Sequence, residues 1–162
     1  SGYTIFKLDK FVDKGPILKQ GKVKIDKNET SQSLIGKMII PSTVDLIKIL
    51  PDYLKGQLKL KIQNNEQATT TKLLIKEDGL IDWSKDALQI DRQIRAMSGW
   101  PGAYTMVDDE RLIIHAATIV GKQLELQIVQ PAGKQAMKFK DYINSNQSNR
   151  LTFWQGIDKV KL

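Results

Sequence analysis

Most of the side chains in this sequence that could do chemistry are basic. Lys134, Lys138 and Lys140 cluster with no acid among them, between a loop and a helix start. Arg92 and Arg95 lie on a stretch of helical spacing, and Arg111 opens a strand. Each could neutralise a phosphate, which gives affinity and salt dependence rather than sequence reading. Trp100 and Trp154 could stack on bases, but a tryptophan followed by Pro101-Gly102 is expected to plug the core. The formal charge of +7 and the pI of about 9.5 favour an anionic partner, nucleic acid first.

Acid, base and nucleophile chemistry is sparse. Asp13, just before Gly15-Pro16, reads by itself as a turn aspartate. Asp108-Asp109-Glu110 is expected to be a solvated hairpin tip, and His115, between Ile114 and Ala116, a histidine of a sheet. No spacing of histidine, cysteine or carboxylate suggests a metal site. No serine has a base at a recognisable spacing. Gly133-Lys134 lacks the other glycines and the Ser/Thr of a phosphate loop. With no cysteine, disulfides and thiolate chemistry are excluded.

Those residues need elements to hold them. Residues 81–105, IDWSKDALQIDRQIRAMSGWPGAYT, read as a capped helix, a sharp stop and the entry to a strand. Ser84 is the expected N-cap, with Asp86 in the first turn and Trp83 stapled onto Leu88. Ala87, Ile90, Ile94 and Met97 share one face, which is therefore buried. Asp91 and Arg95 have the spacing of an i,i+4 pair, with Arg92 pointing elsewhere. Strands are expected at 103–107, 111–120 and 123–129, a helix at 139–143, and closing strands at 151–154 and 157–162. Several short strands around one packed helix suggest a small barrel like an oligonucleotide-binding fold.

The first half opens with strands expected at 3–8 and 17–25, with a bulge or bend at Gly21. Thr30 or Ser31 then caps a helix bearing Leu34, Ile35, Met38 and Ile39, which Pro41 ends. A second helix follows, with Val44, Ile47 and Leu50 inward and Gly56 as its stop. Residues 58–62 alternate as a short strand or extended arm. Residues 63–71, QNNEQATTT, read as a polar linker. The expected division is 1–62, a linker over 63–80, and 81–162. Composition is that of a soluble globular protein, 41% hydrophobic and 27% charged. No apolar run is long enough to span a bilayer and no signal-peptide pattern opens the chain.

Two blocks carry a resemblance. One is IDW, the helix with Ile94-Arg95, then WPGAYT; the other is VQPAGKQAM at 129–137, followed by a helix and Asn144. In order and separation they resemble the C-terminal domain of the methionyl-tRNA formyltransferase family. The strand-strand-helix-helix order of the first half resembles the end of that family's Rossmann-like catalytic domain. The resemblance implies an α+β chain: the tail of a Rossmann-like formyltransferase domain, a linker, and a shortened OB-like tRNA-binding barrel. One departure stands out: the family has a further glycine-rich strand pair where this chain has Gly121-Lys122 alone.

The family transfers a formyl group from 10-formyltetrahydrofolate to the amino group of initiator methionyl-tRNA in translation initiation, in the cytoplasm or an organelle. The cytoplasm is the expectation here. An amine must lose a proton and an oxyanion must be stabilised, for which the family uses an aspartate with an asparagine and a histidine. LDKFVDKGPIL, residues 8–18, resembles the segment carrying that aspartate, which implies that Asp13 is catalytic. No Asn or His precedes it, and the family's SLLP folate motif is absent. The chain therefore reads as the C-terminal half of such an enzyme, without its N-terminal catalytic half; its start inside an expected strand agrees. Alone, it is expected to hold no cofactor and to bind tRNA without catalysis through Arg92, Arg95, Arg111, Lys134, Lys138 and Lys140. A stand-alone RNA-binding module, and part of a related formyltransferase acting on another amine, are the other readings.

Overall fold

The structure, a computed structural model, describes residues 1–145 and 148–162. They fall into two compact units, Ser1–Lys72 and Leu73–Leu162.

In the first unit, β1 (Gly2–Phe6) pairs antiparallel with β2 (Ile17–Lys22). The irregularity in this ladder falls between Ile5 and Phe6, not at Gly21 as expected. Gly21 keeps regular register opposite Tyr3, and a Cβ there would collide with the Tyr3 ring. The glycine makes room for an aromatic ring rather than bending the strand. Residues 58–62 form an extended arm clipped to β2: Ile17 and Lys61 exchange backbone hydrogen bonds of 2.8 and 2.9 Å.

The two expected helices are one. α1 runs Ser31–Leu54, with Pro41 and Pro51 inside it. Thr30 and Ser33 cap it reciprocally: the Ser33 N–H donates to Thr30 Oγ1 at 3.1 Å, and the Thr30 N–H to Ser33 Oγ at 3.0 Å. Pro41 removes one helical donor without ending the helix. The Ser42 and Thr43 hydroxyls donate to the Ile39 carbonyl at 2.9 and 2.8 Å, so the backbone around the proline keeps polar partners. Val44, Ile47 and Leu50, expected inward, are exposed. The face that meets β1 and β2 instead carries Asp45, whose Oδ2 accepts the Tyr3 hydroxyl at 2.8 Å.

In the second unit, β3 (Tyr104–Val107), β4 (Glu110–Val120), β5 (Gln123–Pro131) and β6 (Met137–Lys138) pair antiparallel in sequence order. β7 (Val160–Lys161) adds to β5 in parallel. Helix α2 (Ala87–Ala96) packs on β4, and α3 (Phe139–Asn144) on β5. The OB-like barrel is not confirmed, and no closed barrel is found among the described residues. Closure would need β3 to pair with the far edge, where β6 and β7 have two residues each. Gly121-Lys122 turns β4 straight back into β5, leaving no strand to bridge the gap.

Residues 151–154, expected as a strand, belong to α4 (Ser148–Gln155). That helix places Trp154, fully buried, at the centre of the core. Trp83, Phe139 and Phe153 meet it edge-on at 5.5, 5.2 and 5.0 Å between ring centroids. Edge-to-face pairs each add about 0.5–1.5 kcal/mol beyond area burial. Among the described residues, no helix is long and apolar enough to cross a membrane.

Candidate nucleic-acid interface

Helix α2 begins later than expected. Its N-cap is Asp86, whose carboxylate accepts the Gln89 N–H at 2.8 Å. Ser84 instead closes a turn on Asp82, donating to Oδ1 from its hydroxyl at 2.7 Å and its N–H at 3.0 Å. Those bonds hold the Asp82 carboxyl below its ordinary range, the hydroxyl first. Leu88 is exposed, so the expected staple is absent. Trp83 turns to the core, and its Nε1 donates to the buried Thr105 hydroxyl at 3.0 Å. The expected face is buried at Ala87, Ile90 and Ile94 and half-buried at Met97.

The candidate cations divide by what already holds them. Arg95 pairs with the buried Asp91, with Nε and Nη2 each 3.0 Å from Oδ2. Arg111 is half-buried; its Nη2 donates to the Pro101 carbonyl at 3.0 Å, and its guanidinium lies 4.0 Å from the Tyr104 ring centroid. Both have structural work within the unit. Arg92, Lys134, Lys138 and Lys140 are exposed. Arg111 and Lys134 line one cavity of about 370 Å³, with Asp108 and Glu110 on its wall. Lys138 and Lys140 flank the start of α3, while Arg92 borders a separate depression beside Lys85 and Gln89.

The turn that presents Lys134 is pinned from β4. A ladder irregularity between Ile114 and Ala116 leaves His115 without a direct partner on β5. Its Nε2 lies 2.8 Å from Gln130 Oε1, and Gln130 Nε2 donates to the Lys134 carbonyl at 2.9 Å. The Lys134 N–H closes the turn on the Pro131 carbonyl at 3.1 Å. Bulges re-aim side chains in this way. Sequence reading missed the Gln130 contact, because an unpaired residue in a ladder has no periodicity of its own.

The two tryptophans exchange the expected roles. Trp154 is in the core, and Trp100, expected as a plug, is 65% exposed. It precedes a cis peptide bond to Pro101 and then Gly102, whose φ of 78° favours glycine. Arg111 holds this turn from below through the Pro101 carbonyl. Asp108 and Asp109 form the hairpin turn between β3 and β4, both at positive φ.

Asp13 is exposed, at φ 53°. Gln63 Nε2 donates to the Asp13 carbonyl at 2.9 Å and to the Gly15 carbonyl at 2.6 Å, which fixes this turn from the arm. Its carboxylate makes no hydrogen bond or ion pair among the described residues, and the one histidine, His115, belongs to the other unit.

Residues 73–123, which hold α2, β3 and β4, match the family described as formyl transferase, C-terminal domain. That stretch is therefore of the class of formyl transferase C-terminal domains. More particularly, the chain is 40% identical over 119 residues to the methionyl-tRNA formyltransferase of Chloroflexus aggregans, covering 74% of this chain and 38% of the relative. A solved methionyl-tRNA formyltransferase from Clostridium thermocellum superposes with a TM-score of 0.62 at 20% identity, over 81% of this chain and 56% of that one. HypX from Aquifex aeolicus, solved in complex with tetrahydrofolic acid, shares the fold with a TM-score of 0.65 at 12% identity, over 88% of this chain and 29% of that one. The chain is a relative of the methionyl-tRNA formyltransferases, matched over their C-terminal part, as the two motif blocks implied. It spans 37% to 53% of the length of such curated relatives.

Proposed function

We propose that this chain is the tRNA-engaging part of a cytoplasmic methionyl-tRNA formyltransferase, in which 10-formyltetrahydrofolate donates the formyl group to initiator methionyl-tRNA. On this reading Ser1–Lys72 is the closing segment of the Rossmann-like formyltransferase domain. Leu73–Leu162 is an OB-like tRNA-binding domain left open. The linker covers 63–80, with the hinge within 63–71.

The observation that carries the reading is the pinned turn. His115 and Gln130 fix the backbone beneath Lys134, and the exposed Lys138 and Lys140 follow within a few residues. A backbone already held in place leaves only the exposed lysine side chains to be ordered when a polyanion binds. Trp100 offers an exposed aromatic face for a base. Arg92 and Arg111 add charge, and Arg95 contributes mainly through its pair with Asp91. Within this chain Asp13 would serve proton transfer only once an asparagine and a histidine are brought to it. The chain alone therefore binds tRNA and does not turn over.

The test is a tRNA titration over a range of salt. Replacing Lys134, Lys138 and Lys140 together with alanine should weaken binding to every tRNA alike. It should also flatten the log–log salt slope by about 2–3. An unchanged slope would remove these lysines from the interface.

A further inference from the structure

Two acids and two bases line the polar cavity at the ends of β3 and β5, and they do not pair with one another. Asp108 and Glu110 come from the β3–β4 turn, Arg111 from the start of β4, and Lys134 from the turn after β5. Register sets the two turns side by side, since Leu112 lies opposite Pro131. Both turns are held: Asp108 and Asp109 by their backbone conformation, Lys134 by the Gln130 amide. The Asp108 and Glu110 carboxylates and the Lys134 ammonium make no hydrogen bond or ion pair among the described residues. Arg111 keeps a buried Nε–H without an acceptor. The cavity, about 370 Å³, is at the small end of ligand sites, which run from about 300 to 1,000 Å³. Its buried walls, Val107, Leu112 and Pro131, are apolar. Its chemistry fits a ligand with an anion at one end and hydrogen-bond donors at the other.

We propose that this cavity takes one unpaired guanosine of RNA, its phosphate toward Arg111 and Lys134 and the Watson–Crick edge of its base toward Asp108 and Glu110. An ionised carboxylate only accepts, and its two oxygens match two parallel donors. Guanine presents such a pair, N1–H beside its N2 amino group. Adenine and cytosine set an amino group beside a ring nitrogen that accepts, and uracil flanks its one N–H with two carbonyls. Each of these turns a lone pair on the carboxylate. Acids within a basic surface also repel phosphate, a cost that only a base with donors offsets. The lysine array grips phosphates without reading bases; the acids beside it supply the reading.

This inference rests on the RNA-binding reading of Leu73–Leu162, but it is scored on a ratio between bases, which the salt slope does not measure. Titrate the 162-residue chain with a short single strand of uridines and with the same strand carrying one guanosine. The guanosine strand should bind at least about tenfold tighter, the effect of one bidentate base contact. Inosine in its place lacks the N2 amino group and should lose most of that ratio with the protein untouched. Combined Asp108→Asn and Glu110→Gln should bring the two strands within about twofold of each other, by tightening the uridine strand more than the guanosine strand. Free guanosine monophosphate should compete less well than the guanosine strand, which also meets Lys138 and Lys140. A double variant that binds both strands tighter at the parent ratio would show that the acids act only as charge, and would overturn the proposal. Equal binding of the two strands by the parent chain would overturn it too, and with the expected salt slope the lysine reading would stand without it. Equal competition by the free nucleotide would remove the cavity from RNA recognition.

Discussion

Fifteen buried apolar residues form one cluster in Leu73–Leu162, from Ile81 to Val160, whereas in Ser1–Lys72 only Gly15 and Glu29 are buried among the described residues. Both units have apolar residues at helical and strand spacings. What differs is whether a second apolar layer faces them. α2 lies on β4, and its stripe of Ala87, Ile90 and Ile94 vanishes from solvent. α1 meets the two-stranded β1–β2 ladder with the side that bears Asp45, and its apolar half faces away. Amphipathic spacing specifies a helix and a face; it does not supply the surface that buries the face.

The largest expected contrast comes from truncating one side chain in each unit. Trp154→Ala empties the centre of the aromatic cluster and should cost about 3–5 kcal/mol in the unfolding of the second unit. Ile47→Ala, on the exposed face of α1, should change stability by less than about 0.5 kcal/mol. Chemical denaturation followed by tryptophan fluorescence reads the first, and helical circular dichroism the second. A large loss from Ile47→Ala would mean that α1 is already covered, and the contrast between the units would fail.

How much of this was legible in the sequence follows the same line. Local chemistry was readable: the Thr30 cap, the Asp91–Arg95 pair and the Asp108-Asp109 turn stand where residue type and spacing placed them. So was the family resemblance, because IDW, WPGAYT and VQPAGKQAM lie in order. Non-local packing was not. Trp83 follows Trp154 and Thr105 into the core rather than stapling Leu88, and Trp154 sits on a helix where a strand was expected. The barrel failed for a related reason: closure depends on edge strands of sufficient length, and two-residue strands leave no pattern to read. For the candidate site, the exposed lysines were readable as charge, but the His115–Gln130 link beneath them was not.

A second, smaller contrast lies between Trp100 and Trp154, two of the three tryptophans of the second unit. Trp100→Ala should leave the unfolding of that unit unchanged, because the ring is 65% exposed, while weakening tRNA binding by about 1–3 kcal/mol. Trp154→Ala would do the opposite to stability and act on RNA only by unfolding the domain. If Trp100→Ala binds tRNA as well as the parent chain, the turn is a structural feature and the interface lies with the lysines alone.

The smallest expected effect concerns the first unit, where electrostatics takes over part of the work that a core performs in the second. Glu29 is buried and accepts from the Lys37 ammonium and the Ser33 hydroxyl, and Lys37 also meets Asp26. The Lys37 bond, then the Ser33 bond, hold the Glu29 carboxyl below its ordinary range; Asp26, then Glu29, raise the Lys37 ammonium. The signs follow by linkage. A depressed carboxyl contributes stability that is present above its unfolded value and lost as pH falls through the folded one. A raised ammonium contributes stability that is present below its unfolded value and lost as pH rises through the folded one. The start of α1 should therefore be best ordered between the carboxylate and lysine ranges and fray at either end. In the second unit Asp82 is depressed in the same direction, yet the aromatic core dominates there and acid should change little. Helical circular dichroism against pH, in the parent chain and in Glu29→Gln, decides it. The parent should lose helix on acidification and the variant should have lost that part already. An equal acid response in both would show that the Glu29 contacts do not hold α1.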